Sequence, residues 1–120
     1  VREILRLMQA LQYALEGLVY LVKEQKNTRL LMVIMALTLI ICPLLGFSGF
    51  QTAVVFLAVT ITAVAEIINT AIEITLDLIC NGKFHPRVKI AKDTASCAVL
   101  FCVFASVVVF LIILAQNIFA

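Results

Sequence analysis

Residues 53–80 read AVVFLAVTITAVAEIINTAIEITLDLIC. The run is long and apolar enough to cross a bilayer, for which about 20 residues suffice. It nevertheless carries three acids, Glu66, Glu73 and Asp77. At about 100° per residue, positions seven and eleven beyond Glu66 return to nearly the same azimuth, and Asn69 falls about 60° to one side. The four polar side chains form one stripe on one helix face, about 16 Å long. An acid at the centre of a spanning helix costs about 2.5–3.5 kcal/mol on insertion scales. Three on one face imply a metal, a cationic partner or a proton to move. The stripe is the candidate functional site.

The remainder of the chain supports the membrane reading. Of 120 residues, 64% are hydrophobic and 13% charged, against roughly 45–50% and 25% in soluble domains. A core of this size could not use so many apolar residues. The fold class expected is an all-α membrane protein of one domain, residues 1–120. Residues 1–28 form an amphipathic surface helix, with Ile4, Leu5, Met8, Leu11, Leu15, Leu18, Val19 and Val22 at three- and four-residue steps. The opening VREILRLMQALQ has no short apolar core with a cleavage site, so it does not read as a signal peptide. Three spans follow, at residues 29–47, 52–80 and 91–116. The NGKFHPRVKIAKD stretch links the last two, with Asn81-Gly82 ending a helix and Pro86 restricting the loop.

All nine Lys and Arg residues fall in the N-terminal segment or in the second connection; CPLLGFSGFQ and the terminal QNIFA carry none. The positive-inside rule then puts the N-terminus and the 81–93 loop in the cytoplasm and the C-terminus outside. Cys42, Cys80, Cys97 and Cys102 have no CxxC spacing and no histidine cluster, so they read as small hydrophobes. His85 reads as a solvated loop residue.

The basic loop brings a second polar set, Lys89, Lys92 and Asp93, to the end of the acidic stripe. Carboxylates with an amide oxygen suit Mg²⁺, which keeps waters and substrate phosphates among its ligands. A lysine opposite them suits phosphate oxygens, and a deeper carboxylate suits a general base. Together they suggest phosphate transfer to or from a lipid headgroup. Gly17, Gly46, Gly49 and Gly82 are the only glycines, so no Walker A loop exists and a nucleotide site must be built from helix faces. The blander alternatives are acids that only pair within the bundle, or an ion path; loop lysines also accumulate for topology alone.

The residues EIINTAIEITLDL and KIAKDTASCAVL carry a resemblance. They are similar to the signatures of the small prokaryotic membrane lipid kinases, the diacylglycerol kinase and undecaprenol kinase family. The shared pattern is E-x-x-N-[ST]-A-I-E-x-x-x-D, here Glu66, Asn69, Thr70, Ala71, Ile72, Glu73 and Asp77. A-K-D follows at Ala91, Lys92 and Asp93, and the stretch around Tyr13 and Gly17 is also similar. The resemblance implies a surface helix with three spans, a homotrimer with active sites shared between subunits, and a bacterial inner (cytoplasmic) membrane location. It implies ATP as cosubstrate and Mg²⁺ as cofactor. The acceptor it implies is a membrane lipid alcohol, undecaprenol first and diacylglycerol as the alternative.

Carried over, Glu66 is the catalytic base. Asn69, Asp77, Lys92 and Asp93 are nucleotide or phosphate contacts, Glu73 a metal ligand, and Arg6 and Ser96 lipid-substrate contacts. One position departs. With Asn27 and Arg29 aligned, Gln25 stands where the family carries a metal-binding Glu, and Glu24 lies one residue earlier. Gln25, or Glu24 as the alternative, is the expected metal contact near the first span. The neutral oxygen predicts weaker metal binding, and admits a catalytically weakened or non-enzymatic membrane module, or a phosphatase on the same acidic site.

Overall fold

The computed structural model describes residues 1–120 as four helices: α1 (Arg2–Glu24), α2 (Lys26–Leu44), α3 (Gly49–Ile79) and α4 (Pro86–Ile118). The all-helical expectation holds, and α2, α3 and α4 are each long and apolar enough to cross a membrane. They pack in sequence order, α3 against both α2 and α4, while α1 touches little more than α2.

Each boundary has a local cause. Gln25 is extended (φ −116°, ψ 103°) and separates α1 from α2. Arg29 reaches back across the break and donates through Nη1 to the carbonyls of Val22 and Lys23, each at 2.9 Å. A cation thereby satisfies carbonyls left open at the end of α1. The helix that periodicity alone runs to residue 28 thus stops at Glu24, and α2 takes the three residues from Lys26 to Thr28.

At the other end of α2, Gly46 adopts φ +89°. The Phe47 N–H bonds the Cys42 carbonyl and the Gly46 N–H the Pro43 carbonyl, both at 3.0 Å. This is a Schellman closure, with the accompanying contact between Phe47 and Cys42 buried in the same cluster. Ser48 then starts α3 with a capping box: its Oγ accepts from the Gln51 N–H, and Gln51 Oε1 accepts from the Ser48 N–H. Asn81 (φ 53°) and Gly82 (φ 73°) end α3. His85 caps α4, its Nδ1 accepting from the Arg87 N–H at 3.1 Å, with Pro86 in the first turn. Proline suits that turn because its missing N–H would be unbonded there anyway. It therefore starts the helix, and α4 begins five residues before Ala91.

The interior inverts the pattern of a soluble domain. Thirteen residues are buried, and seven of them are polar: Thr28, Thr38, Thr52, Thr62, Glu66, Asn69 and Thr70. The apolar cluster of Cys42, Phe47, Val55, Val59 and Ile113 lies toward the α2–α3 turn. Polar groups glue the helices elsewhere, as expected where lipid competes equally for apolar faces. Thr62 and Ser106 hydroxyls meet at 2.9 Å between α3 and α4. Gln51 and Asn117 exchange a reciprocal amide pair at 3.1 and 3.2 Å near the α2–α3 turn.

Candidate functional site

Glu66, Asn69 and Thr70 are buried on α3, and Glu66 retains only 8% exposure. Glu73, one turn beyond Asn69, is half-buried. Helical spacing alone puts these side chains in line, on a helix that packs against both α2 and α4. Asn69 Nδ2 donates to Glu73 Oε1 at 3.1 Å. The Thr70 hydroxyl folds back onto the Glu66 backbone carbonyl at 3.0 Å.

Asn69 supplies a further feature. With its amide nitrogen committed to Glu73, its Oδ1 is buried and has no partner. A carbonyl oxygen of this kind is costly to leave empty, and it suits a hard cation or a donor brought by a ligand. No three Asp, Glu, His or Cys side chains converge tightly enough to hold a metal by themselves. Glu73 with the Asn69 oxygen nevertheless fits Mg²⁺, which usually takes one or two carboxylates and completes its shell with water and substrate phosphates.

At the α3–α4 turn, Lys92 of α4 pairs with Asp77 of α3. Lys89 pairs with Asp93 one turn along α4 at 2.6 Å. The structure thus brings Glu66, Asn69 and Glu73 into one line, with the Asp77–Lys92 pair beyond it. Asp93 turns to Lys89 instead of joining that line. Ser96 on α4 and Arg6 on α1 are exposed. Gln25 donates through Nε2 to the Tyr20 hydroxyl at 3.3 Å, and Glu24 is exposed at the end of α1.

The family description "Prokaryotic diacylglycerol kinase" matches residues 12–114. The chain belongs to the prokaryotic diacylglycerol kinase family. Among curated relatives it is 32% identical over 103 residues to a diacylglycerol kinase of Synechocystis, a match covering 86% of this chain and 59% of that protein. It is 44% identical over 71 residues to the undecaprenol kinase of Bacillus subtilis, covering 58% and 55%. A Helicobacter pylori diacylglycerol kinase is 30% identical over 95 residues, covering 79% and 73%. The chain therefore spans somewhat more than half the length of the first two relatives. Both a diacylglycerol kinase and an undecaprenol kinase occur among the relatives. The acidic line on α3 and the Lys92 turn both fall inside the matched region.

Sequence reasoning singled out the acids but not Thr28, a buried side chain of α2 whose hydroxyl has no partner. The available signal was a polar residue at the threshold of the first span, on a helix that must pack against the acidic one.

Proposed function

We propose that this chain is an ATP-dependent lipid kinase that phosphorylates a membrane lipid alcohol, undecaprenol in the first place. The observation that carries this reading is Glu66: a buried carboxylate within a helix long and apolar enough to cross a membrane, aligned with Asn69 and Glu73 toward the Asp77–Lys92 pair. A base is needed where a lipid hydroxyl lies and phosphate contacts where a nucleotide enters; one helix face offers both.

In this reading Glu66 accepts the proton of the lipid hydroxyl. The freed oxygen attacks the γ-phosphorus of ATP in line, the bond to the ADP bridging oxygen breaks, and the Glu66 proton passes to solvent after product leaves. Glu73 and Asn69 Oδ1 are the residues that would hold Mg²⁺, which would supply neutralisation of the phosphoryl charge when bound. Lys92 contacts phosphate oxygens by exchanging Asp77 for the nucleotide, with Asp77 and Asp93 at the same entrance. Arg6 and Ser96 lie on the lipid side.

The setting follows from the same reading. The N-terminus and the α3–α4 turn face the bacterial cytoplasm, where the basic residues gather. α1 lies in the interface plane with its apolar face toward acyl chains or neighbouring helices. A homotrimer with shared sites is the assembly. The exposure of every apolar side chain of α1 apart from half-buried Leu21 supports a helix that finds its partners outside its own chain.

A weakened or non-enzymatic module is the second reading. Gln25 favours it, because its neutral amide is engaged with Tyr20.

The deciding experiment is ATP-dependent phosphorylation in lipid vesicles, with undecaprenol and diacylglycerol offered separately. Turnover of either lipid is expected, and Glu66→Gln should lower it by about 100-fold or more, as for loss of a general base. No turnover of either lipid would favour the module.

A further inference from the structure

Thr38, Thr60, Thr62, Thr70, Thr75 and Thr94 each donate the hydroxyl to the carbonyl four residues earlier, at 2.8–3.0 Å. That bond satisfies a hydroxyl within its own helix. Thr28 has no such carbonyl in α2. Four residues before it lies Glu24, beyond the extended Gln25 that parts α1 from α2. Thr28 Oγ1 is left without a partner, although the residue is only 1% exposed. An unbonded oxygen buried so deeply is costly.

The packing settles which way Thr28 faces. In α2 only Thr28, Leu31, Met35, Thr38 and Cys42 are buried or half-buried, a single stripe at three- and four-residue steps. α1 has no buried residue and α2 packs mainly on α3, so this stripe is the face turned to α3. On α3 the answering stripe is Val55, Val59, Thr62, Glu66, Asn69 and Glu73, each buried or half-buried, at the same steps. The two helices run antiparallel from the short turn that joins them. Cys42, Val55 and Val59 fix their register, because they share one buried cluster. Thr28 lies fourteen residues from Cys42, Asn69 fourteen from Val55, and Glu73 fourteen from Val59. Each interval is two heptads, about 21 Å along its helix, and two heptads return the azimuth to within about 40°. Thr28 therefore stands level with Asn69 and Glu73 on the facing helix.

Two buried oxygens without partners, Thr28 Oγ1 and Asn69 Oδ1, thus share one level between α2 and α3. An amide oxygen only accepts, whereas a hydroxyl accepts or donates. A phosphate oxygen would suit the hydroxyl and repel the amide oxygen. A hard cation suits both, with the Glu73 carboxylate supplying charge.

We infer that Thr28 Oγ1 is a third protein oxygen for the divalent cation assigned above to Asn69 and Glu73. This rests on the kinase reading and brings α2 into a site otherwise written on α3 and α4. The contact comes three residues beyond Gln25, where an amide replaces the charged oxygen expected near the first span.

Thr28→Val keeps the shape and removes the hydroxyl. Without metal it should unfold in detergent at a temperature no lower than the wild type, because a methyl replaces an unbonded buried oxygen. With Mn²⁺ as the probe and no nucleotide, the full chain in detergent should bind the ion about tenfold more weakly after Thr28→Val, read from the EPR signal of free Mn²⁺. Thr28→Ser keeps the hydroxyl and should stay within about threefold of the wild type. Thr52→Val is the control. Thr52 Oγ1 is also buried and unpartnered, but it lies in the first turn of α3, and its loss should leave Mn²⁺ affinity unchanged. In vesicles with ATP and lipid, Thr28→Val should raise the Mg²⁺ concentration for half-maximal activity about tenfold, with kcat at saturating Mg²⁺ held within about twofold.

Equal Mn²⁺ affinity of the wild type and Thr28→Val would overturn the inference and leave the kinase reading intact; a bridging water would then join Thr28 to Asn69. An equal loss in Thr52→Val would overturn it too, as general loosening of the bundle. A wild type that binds no Mn²⁺ would remove the ion site and Thr28 with it. Mn²⁺ bound in the expected order, with no lipid phosphorylated, would keep the ion site and remove the kinase reading.

Discussion

Asn69 concentrates the tension of the site in one side chain. Its nitrogen is satisfied by Glu73 and its buried oxygen by nothing, and an empty buried acceptor costs about 1–3 kcal/mol. Asn69→Leu has nearly the same shape and removes the orphan. It is therefore expected to raise the thermal unfolding midpoint in detergent, by an amount equivalent to about 1 kcal/mol, while lowering phosphorylation at least tenfold by loss of a metal or phosphate contact. Unchanged activity would take Asn69 out of the site. The acidic stripe itself was legible in the sequence, because a helical period fixes which residues share a face. The buried, unpartnered hydroxyl of Thr28 was not. It depends on where the chain breaks before α2, and the apolar period runs through Gln25 without marking it.

At the scale of elements, the turn chemistry decides the boundaries that periodicity blurs. Gly46 at φ +89° closes α2, and a Cβ there would meet no atom within 4 Å. Any penalty for Gly46→Ala is then purely conformational, about 1 kcal/mol, read as a lowered unfolding midpoint. Gly17 also has open space around it, but lies inside α1 at an ordinary helical φ. Gly17→Ala should therefore be neutral or stabilising, since alanine is the better helix former by about 1 kcal/mol. Equal effects of the two substitutions would contradict the closure drawn for α2.

The α1–α2 break carries a second expectation. A charged oxygen binds a hard cation more tightly than a neutral one, so Gln25→Glu should lower the Mg²⁺ concentration giving half-maximal activity without altering lipid preference. The companion Glu24→Ala distinguishes registers: loss of activity there, with no effect at Gln25, would move the metal contact one residue earlier. Asn81-Gly82 was readable as a helix stop in sequence, whereas the start of α4 was not. Pro86 reads equally as a loop residue or a first-turn proline, and the His85 cap that decides between them is a matter of backbone geometry.

For the molecule as a whole, the three apolar spans were legible from composition and length, since nothing else accounts for so hydrophobic a chain. The surroundings of α1 were not, because they belong to whatever lies beyond a single chain. The proposed orientation has a direct check. A cysteine introduced at Gly82 should react with an impermeant thiol reagent only from the cytoplasmic side, and one at Asn117 only from outside, in a background with the four native cysteines replaced. Reaction of both from one side would overturn the three-span topology. The inverted interior, with seven polar residues among the thirteen buried, has a calorimetric consequence. Soluble domains gain about 12–15 cal/mol/K per residue in heat capacity on unfolding, because apolar surface becomes hydrated. Helices that separate within a micelle exchange protein for hydrocarbon, and hydrate little that was dry. Their heat-capacity increment should be well below that range, which flattens the dome of stability against temperature into something close to a straight line. Cooling would then go on stabilising this bundle past the point at which a water-soluble domain begins to loosen.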